Sequence, residues 1–249
     1  GHGQVVGIAA DPGLGKSRLA HEFLALDEVA GFAVLESGGH EFDQSTSLGV
    51  AKKLFLSACG IRGDDTLEEA RDRFLRRHAE LALDPAHIAP LSFLADMPVE
   101  DEDWLRFDAR ERTGRVCTAM TAFLVAVSRQ TPLALLVEDL HWIDAESEAI
   151  VNRLVDVIGA HRIMLIATYR PHYLHGWARR GSFQQIRLER FVREEMDQFL
   201  TALLGTHPSL EDLRALLADK AEGTPLFLEE MVRALVACGA LGGEPGRYE

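Results

Sequence analysis

The chain has 249 residues, of which 47% are hydrophobic and 26% charged, a composition typical of a globular protein with one large domain and a smaller companion. Its formal net charge of -13 argues against direct nucleic-acid binding, because a surface of that sign repels a phosphate backbone. Three widely spaced cysteines suggest neither a disulfide framework nor a zinc site, and no apolar run is long enough to span a bilayer, so we expect a cytoplasmic protein without membrane contact.

Strand patterns alternate with helical patterns through the first three quarters of the chain. Short apolar runs predict strands at residues 5–10, 31–35, 133–137, 162–169 and 186–188. Residues from about 47 to 128 form a mostly helical insert, in which Thr66 and Glu69 match a capping box. This alternation predicts an α/β fold with a parallel sheet flanked by helices, and we assign residues 1–190 to that core.

From residue 191 onward, apolar residues recur only at helical periods. The pattern predicts three helices joined by short links, which would form a small helical lid domain over residues 191–249. The chain starts with Gly1 immediately before its first apolar run, and we therefore expect a domain excised from a larger protein.

A phosphate-binding loop is predicted between the first strand and the first helix, where the sequence reads ADPGLGKS. Two glycines would let the backbone turn its amides inward, Lys16 would reach the β- and γ-phosphates, and the Ser17 hydroxyl would bind Mg²⁺. Ala10 stands where the motif has glycine, and we expect this small side chain to be tolerated. The predicted residues that bind ATP or ADP here are Ala10, Asp11, Pro12, Gly13, Leu14, Gly15, Lys16, Ser17 and Arg18.

Two adjacent carboxylates, Glu138 and Asp139, end the apolar run at 133–137. Neighbours on a strand point to opposite sides, so one could bind the magnesium ion while the other polarises the attacking water. We favour Glu138 for the metal, together with Ser17, and Asp139 for the water, although the sequence does not separate the two roles. The alternative is a helix N-terminus that happens to be acidic.

Arg170 follows the next predicted strand, within the segment ATYRP. At the carboxyl edge of a parallel sheet, a guanidinium could sense the γ-phosphate charge. An ordinary surface arginine at a strand end is the competing interpretation.

Together these segments resemble the STAND class of AAA-related P-loop ATPases, in particular the module of multidomain bacterial adenylate cyclases and large LuxR-type transcriptional regulators. The matching segments are GHGQVVGIAADPGLGKSRL, PLALLVEDLHWID, ATYRP and EGTPLFLEEMVRAL. The resemblance implies a P-loop NTPase core followed by a helical lid whose Gly223-Thr224-Pro225 motif places Pro225 against the nucleotide. Members usually carry asparagine at the Thr224 position, aspartate at the Glu138 position, and a segment before the first strand that encloses adenine, which this chain starts too late to include.

The resemblance also implies a regulatory switch that binds ATP, hydrolyses it slowly, and communicates with effector and sensor domains of the same full-length chain. A second hypothesis is a module that holds nucleotide without turnover, which is motivated by Ala10, Glu138 and the late start. A scaffold with a degenerate pocket is the third. The sequence leaves oligomerisation open.

Overall fold

The structure is a computed structural model that describes residues 2–40 and 47–248. The chain divides into two compact units that do not follow chain order. The first unit consists of Gly1–Ile8 and Ala20–Ile186, and the second consists of Ala9–Leu19 and Arg187–Glu249. The residues between the first strand and the first helix are thus grouped with the C-terminal part of the chain.

A five-stranded parallel sheet lies at the centre of the first unit, as the sequence predicted. Its strands are β1 (Gln4–Ala9), β2 (Ala33–Gly38), β3 (Leu133–Glu138), β4 (Ile163–Tyr169) and β5 (Phe183–Arg187), in the order β2-β3-β4-β1-β5. In the parallel register, Leu35 lies opposite Leu135, and Leu135 lies opposite Leu165. All three leucines are buried, because both faces of the sheet are covered.

Two strands differ from the predicted bounds by more than one residue. β2 begins at Ala33 and continues to Gly38, because its pairing with β3 extends beyond the apolar segment to Gly38 opposite Glu138. β5 begins at Phe183, three residues before the predicted start. It is an edge strand with mostly exposed side chains, so no hydrophobic run marks its beginning.

The helical insert forms as predicted and has an aromatic core. The helices between β1 and β3 are α1 (Lys16–Leu24), α2 (Gly49–Ala58), α3 (Leu67–Glu80), α4 (Ile88–Leu94), α5 (Glu102–Arg106) and α6 (Ala109–Gln130). The Thr66–Glu69 capping box is present at the start of α3. The Phe55 ring lies edge-on to Phe74 and Phe123, with centroids 5.5 and 5.0 Å away. Within the described residues, no helix combines the length and apolar content that crossing a membrane requires.

A buried carboxylate joins the insert to the helix that follows β3, α7 (Ala145–Val157). Asp144 accepts hydrogen bonds from the amides of Leu48 at 2.8 Å, Gly49 at 3.1 Å and Ser147 at 2.8 Å. The Ser147 hydroxyl accepts a further bond from the Ala51 amide. Asp144 therefore caps α7 and at the same time fixes the first turn of α2 against it.

The second unit contains the three helices that the sequence predicted beyond residue 191, namely α8 (Arg193–Leu204), α9 (Glu211–Ala221) and α10 (Pro225–Ala237). Their apolar faces share one core, which includes Leu200, Leu204 and Leu228. The sequence did not predict the hairpin formed by β6 (Gly243–Glu244) and β7 (Arg247–Tyr248), since two-residue strands leave no periodic signal. Tyr248 contributes to the helical core.

Candidate functional site

The phosphate loop, residues 10–17, lies between the end of β1 and the first turn of α1. Gly13 and Gly15 adopt left-handed conformations with φ values of 80° and 90°. Residues with a side chain rarely adopt these angles, which explains the glycines of the motif. The helix then begins with a hydrogen bond from the Leu19 amide to the Gly15 carbonyl at 2.9 Å. Ala10 is buried at the end of the strand, where its methyl group is accommodated.

Lys16 is buried within this loop. Its ammonium group donates to the carbonyl oxygens of Ala10 at 3.0 Å and Asp11 at 3.2 Å. The ammonium group is therefore held inside the loop by backbone carbonyls of the same segment. A strongly curved backbone, a buried ammonium group and the N-terminus of a helix together fit a polyphosphate.

The remaining predicted loop residues differ in exposure. Asp11, Pro12, Ser17 and Arg18 are exposed, whereas the Leu14 side chain is buried. Ser17 is in the first turn of α1.

The start of α10 packs on the phosphate loop within the second unit. The Leu226 amide donates to the Gly13 carbonyl at 3.2 Å, and a Cβ placed on Gly13 would lie 3.0 Å from the Thr224 methyl carbon. Gly223 has a φ of 79°, and a Cβ there would approach the Phe191 carbonyl oxygen to 2.7 Å. Pro225 is the first residue of α10 and so follows directly on a segment in contact with the loop.

The acidic turn, residues 138–142, follows β3 in the first unit. Glu138 is the last strand residue, but Asp139 adopts a left-handed conformation with φ 49° and ψ 52°. The expectation that both residues continue the strand and alternate in direction was therefore wrong. The cause is a pair of hydrogen bonds that turn the chain: the Asp139 amide donates to the Thr168 hydroxyl at 2.9 Å, and the Trp142 amide donates to the Asp139 carbonyl at 2.7 Å.

A histidine lies between the Glu138 carboxylate and a second carboxylate. His21 Nε2 is 3.7 Å from a carboxylate oxygen of Glu138, and His21 Nδ1 is 3.8 Å from one of Glu36. The Asp139 carboxylate is more exposed than that of Glu138 and lies 4.0 Å from His141 Nδ1. The two acidic side chains thus have different neighbours, as different roles would require.

Sequence reasoning missed two features that hold the acidic turn in place. The first is Thr168, whose buried hydroxyl accepts the Asp139 amide. The second is the close approach of Gly39: its amide donates to the Glu138 carbonyl at 3.0 Å, and a Cβ there would lie 2.6 Å from the Trp142 carbonyl carbon. A glycine pair shortly after a predicted strand could have signalled such an approach, whereas nothing in the sequence distinguishes Thr168.

Arg170 directly follows β4, and its guanidinium carbon lies 5.5 Å from the centroid of the Trp142 ring. A cation held over an indole face has restricted mobility. The structure thus places the predicted γ-phosphate sensor beside the acidic turn.

An aromatic cluster supports the end of β4. His175 Nε2 lies 2.9 Å from the Tyr169 hydroxyl, and a Cβ on Gly7 of β1 would approach that hydroxyl to 2.4 Å. Burial raises the pKa of Tyr169 to about 12 and lowers the pKa of His175 below its ordinary value. Both shifts favour the uncharged form of the side chain, which suits groups that pack together.

Comparison with known proteins matches the first two thirds of the chain to a family. A family model described as an AAA ATPase domain matches residues 1–166. An uncharacterized protein of Rhizobium meliloti (strain 1021) is 27% identical over 241 residues, which cover 93% of this chain and 22% of the relative. The chain therefore spans about a fifth of the length of that curated relative.

Two solved structures are similar to this chain. One is a STAND protein (signal transduction ATPase with numerous domains) with a tetratricopeptide repeat sensor from Pyrococcus horikoshii. The match covers 90% of this chain and 26% of that protein's chain, at 15% identity and a TM-score of 0.43. The other is a chain of the HORMA:CdnC:Trip13 complex of E. coli MS115-1. The match covers 86% of this chain and 58% of that chain, at 16% identity and a TM-score of 0.46.

Proposed function

Because the chain belongs to the family of AAA ATPase domains, we propose that this nucleotide-binding ATPase module binds ATP and ADP with Mg²⁺ and hydrolyses ATP slowly. The phosphate loop carries the proposal. Its left-handed glycines and the buried Lys16 ammonium form a curved, positively charged backbone segment of the kind that binds a triphosphate. The net charge of -13 does not oppose this, since the positive potential is local.

The residues act in the following roles in this proposal. The loop backbone, Lys16 and the helix N-terminus bind the phosphates, and the Ser17 hydroxyl and the Glu138 carboxylate are the oxygens that would hold magnesium. When bound, that ion would neutralise charge on the β- and γ-phosphates. Asp139 polarises the attacking water and Arg170 responds to the γ-phosphate.

We further propose that the module is a regulatory switch of a larger signalling protein, of the cyclase-linked or LuxR type, which acts in the cytoplasm on effector and sensor domains of its own chain. The motifs described above support this class. The C-terminal helices would be the element that changes between the ATP and ADP states, because the start of α10 contacts the phosphate loop.

The central test is Lys16→Ala. We expect ATP to bind at least about 100-fold more weakly, since two or more charge-assisted hydrogen bonds to phosphate are lost. Isothermal titration calorimetry measures the dissociation constant. Lys220→Ala, which removes an exposed lysine of α9, is the matched control and should leave binding unchanged. Equal affinity of the Lys16→Ala variant and the wild type would refute the site.

The second candidate function is nucleotide binding without turnover. The left-handed Asp139, whose carboxylate lies 4.0 Å from an imidazole nitrogen of His141, favours this alternative because the side chain already has a neighbour. Phosphate release by wild type and Asp139→Ala separates the two. If the wild type releases phosphate faster than the variant, the module is an ATPase; equal rates at background level would leave only binding.

Arg170→Ala tests the proposed γ-phosphate role. We expect the variant to lose affinity for ATP selectively, by about five- to tenfold, and to keep its affinity for ADP, since only ATP carries the charge that the guanidinium would sense. Equal weakening of both nucleotides would contradict this role.

A further inference from the structure

An ion pair joins the first turn of α1 to the middle of α10. Arg18 Nη1 lies 2.7 Å from Glu229 Oε1, although the two residues are 211 positions apart in the chain. Both residues belong to the second compact unit. Arg18 is itself among the predicted nucleotide-binding residues and immediately follows Ser17, so the pair links Glu229 to the end of the phosphate loop.

A second contact from α10 reaches the loop itself. Leu226 is three residues before Glu229, about one turn nearer the N-terminus of α10. The Leu226 amide donates to the Gly13 carbonyl at 3.2 Å. A loop that turns its amides toward an anion must turn its carbonyls away from it, and a donor on the outer side stabilises that arrangement. Helix α10 thus supplies a donor where the phosphate-binding conformation needs one.

We propose that Glu229 is a positioning residue for nucleotide binding. By pairing with Arg18, it holds the first turns of α10 against the phosphate loop, so that Leu226 keeps the Gly13 carbonyl directed outward. This inference rests on the proposed nucleotide binding and adds to it a residue that acts only through others. Glu229 itself is an acid and would repel phosphate, so its contribution comes from Arg18 and α10 alone.

The expected effect is modest, because the Arg18 side chain is about two-thirds exposed. Exposed ion pairs contribute little, and a pair of this kind corresponds to about a two- to fivefold change in a rate or equilibrium constant. The effect should appear mainly in how fast the nucleotide leaves, because changes around a binding site usually alter the dissociation rate more than the association rate.

The test measures release of a fluorescent ATP analogue from the full chain by stopped flow. Glu229→Gln should release it two- to fivefold faster than the wild type. Glu230→Gln is the matched control: Glu230 is the next residue of α10, it pairs with Arg233 of the same helix, and its loss should leave release unchanged. Urea unfolding of both variants should give the same free energy, since each loses one exposed ion pair.

A double-mutant cycle shows whether Glu229 acts through Arg18. In an Arg18→Gln background, adding Glu229→Gln should change the release rate no further. Equal release by the Glu229→Gln and Glu230→Gln variants, or an undiminished effect of Glu229→Gln without Arg18, would overturn the inference and leave nucleotide binding intact. A wild-type chain that binds no analogue would instead refute the proposed function.

Discussion

The phosphate loop and the acidic turn are both sharp bends that follow a strand, yet they are held in different ways. The loop carries most of its geometry in its own residues, with two left-handed glycines and a lysine that binds carbonyls of the same segment, and the Leu226 amide of α10 adds one donor to it. The acidic turn is held from outside, by the Thr168 hydroxyl and by the backbone of Gly39. A motif search therefore finds the determinants of the first bend but not those of the second.

The largest effect should come from Gly39→Ala. The new methyl group would meet backbone atoms of Trp142 and Ile143 at 2.6–2.8 Å, so the acidic turn must move. We expect a loss of about 3 kcal/mol in the free energy of unfolding, at the upper end for overpacking, and a loss of phosphate release. Urea denaturation and a phosphate-release assay measure the two effects. Gly31→Ala, where a methyl group meets nothing within 4 Å, should be neutral, and equal behaviour of the two variants would contradict the packing argument.

Substitution of Gly13 or Gly15 by alanine should have the second largest effect on stability. Comparing the two variants should separate backbone strain from steric contact with α10. Both would force alanine into a left-handed conformation, which costs about 1–2 kcal/mol. Only at Gly13 would the methyl group also meet Thr224 and Leu226, at 3.0 and 3.3 Å, whereas nothing lies within 4 Å of such a group at Gly15. Thermal unfolding should therefore show Gly13→Ala to be the less stable variant. If Gly15→Ala were instead the less stable variant, the contact of the new methyl group with Thr224 and Leu226 would not be destabilising.

Thr168→Val should have a smaller effect on stability, of about 1 kcal/mol, because the Asp139 amide loses its acceptor while the side-chain volume is kept. Phosphate release should fall as the turn becomes less fixed. Thr168→Ser retains the hydroxyl and should recover most of that activity. If valine and serine act alike, the hydroxyl does not hold the turn.

The smallest expected effect is on the pH dependence of stability. It arises from His175 in the aromatic cluster beside β4, which lies outside both the phosphate loop and the acidic turn. Burial lowers the pKa of His175 in the folded state, so the unfolded chain binds protons more readily. The stability that this residue contributes is present above its unfolded pKa of about 6.5 and falls as the pH drops below that value. His175→Asn should accordingly lose less stability than the wild type between pH 7.5 and 5.5, as measured by urea unfolding. A steeper loss in the variant would contradict the assigned sign.

The sequence predicted the parts of the molecule that have a local cause. Apolar runs predicted the five strands, and helical periods predicted the insert and the three C-terminal helices. The spacing of the glycines predicted the phosphate loop. Strand order was not predictable, because pairing between β2 and β3 joins segments about 100 residues apart. For the same reason the partners of Asp139 and Arg18 were missed, since Thr168 and Glu229 are ordinary residues until the chain brings them into contact.

Grouping of Ala9–Leu19 with Arg187–Glu249 has a practical consequence for dissecting the protein. A fragment that ends at residue 190, the boundary predicted from periodicity, would retain every loop residue while losing the donor to the Gly13 carbonyl and the partner of Arg18. If such a fragment failed to bind nucleotide or to release phosphate, the cause could be the missing contacts from α10. The result would not show that the core itself is inactive. Point substitutions along α10 keep the rest of the chain intact and are therefore the better test of its role.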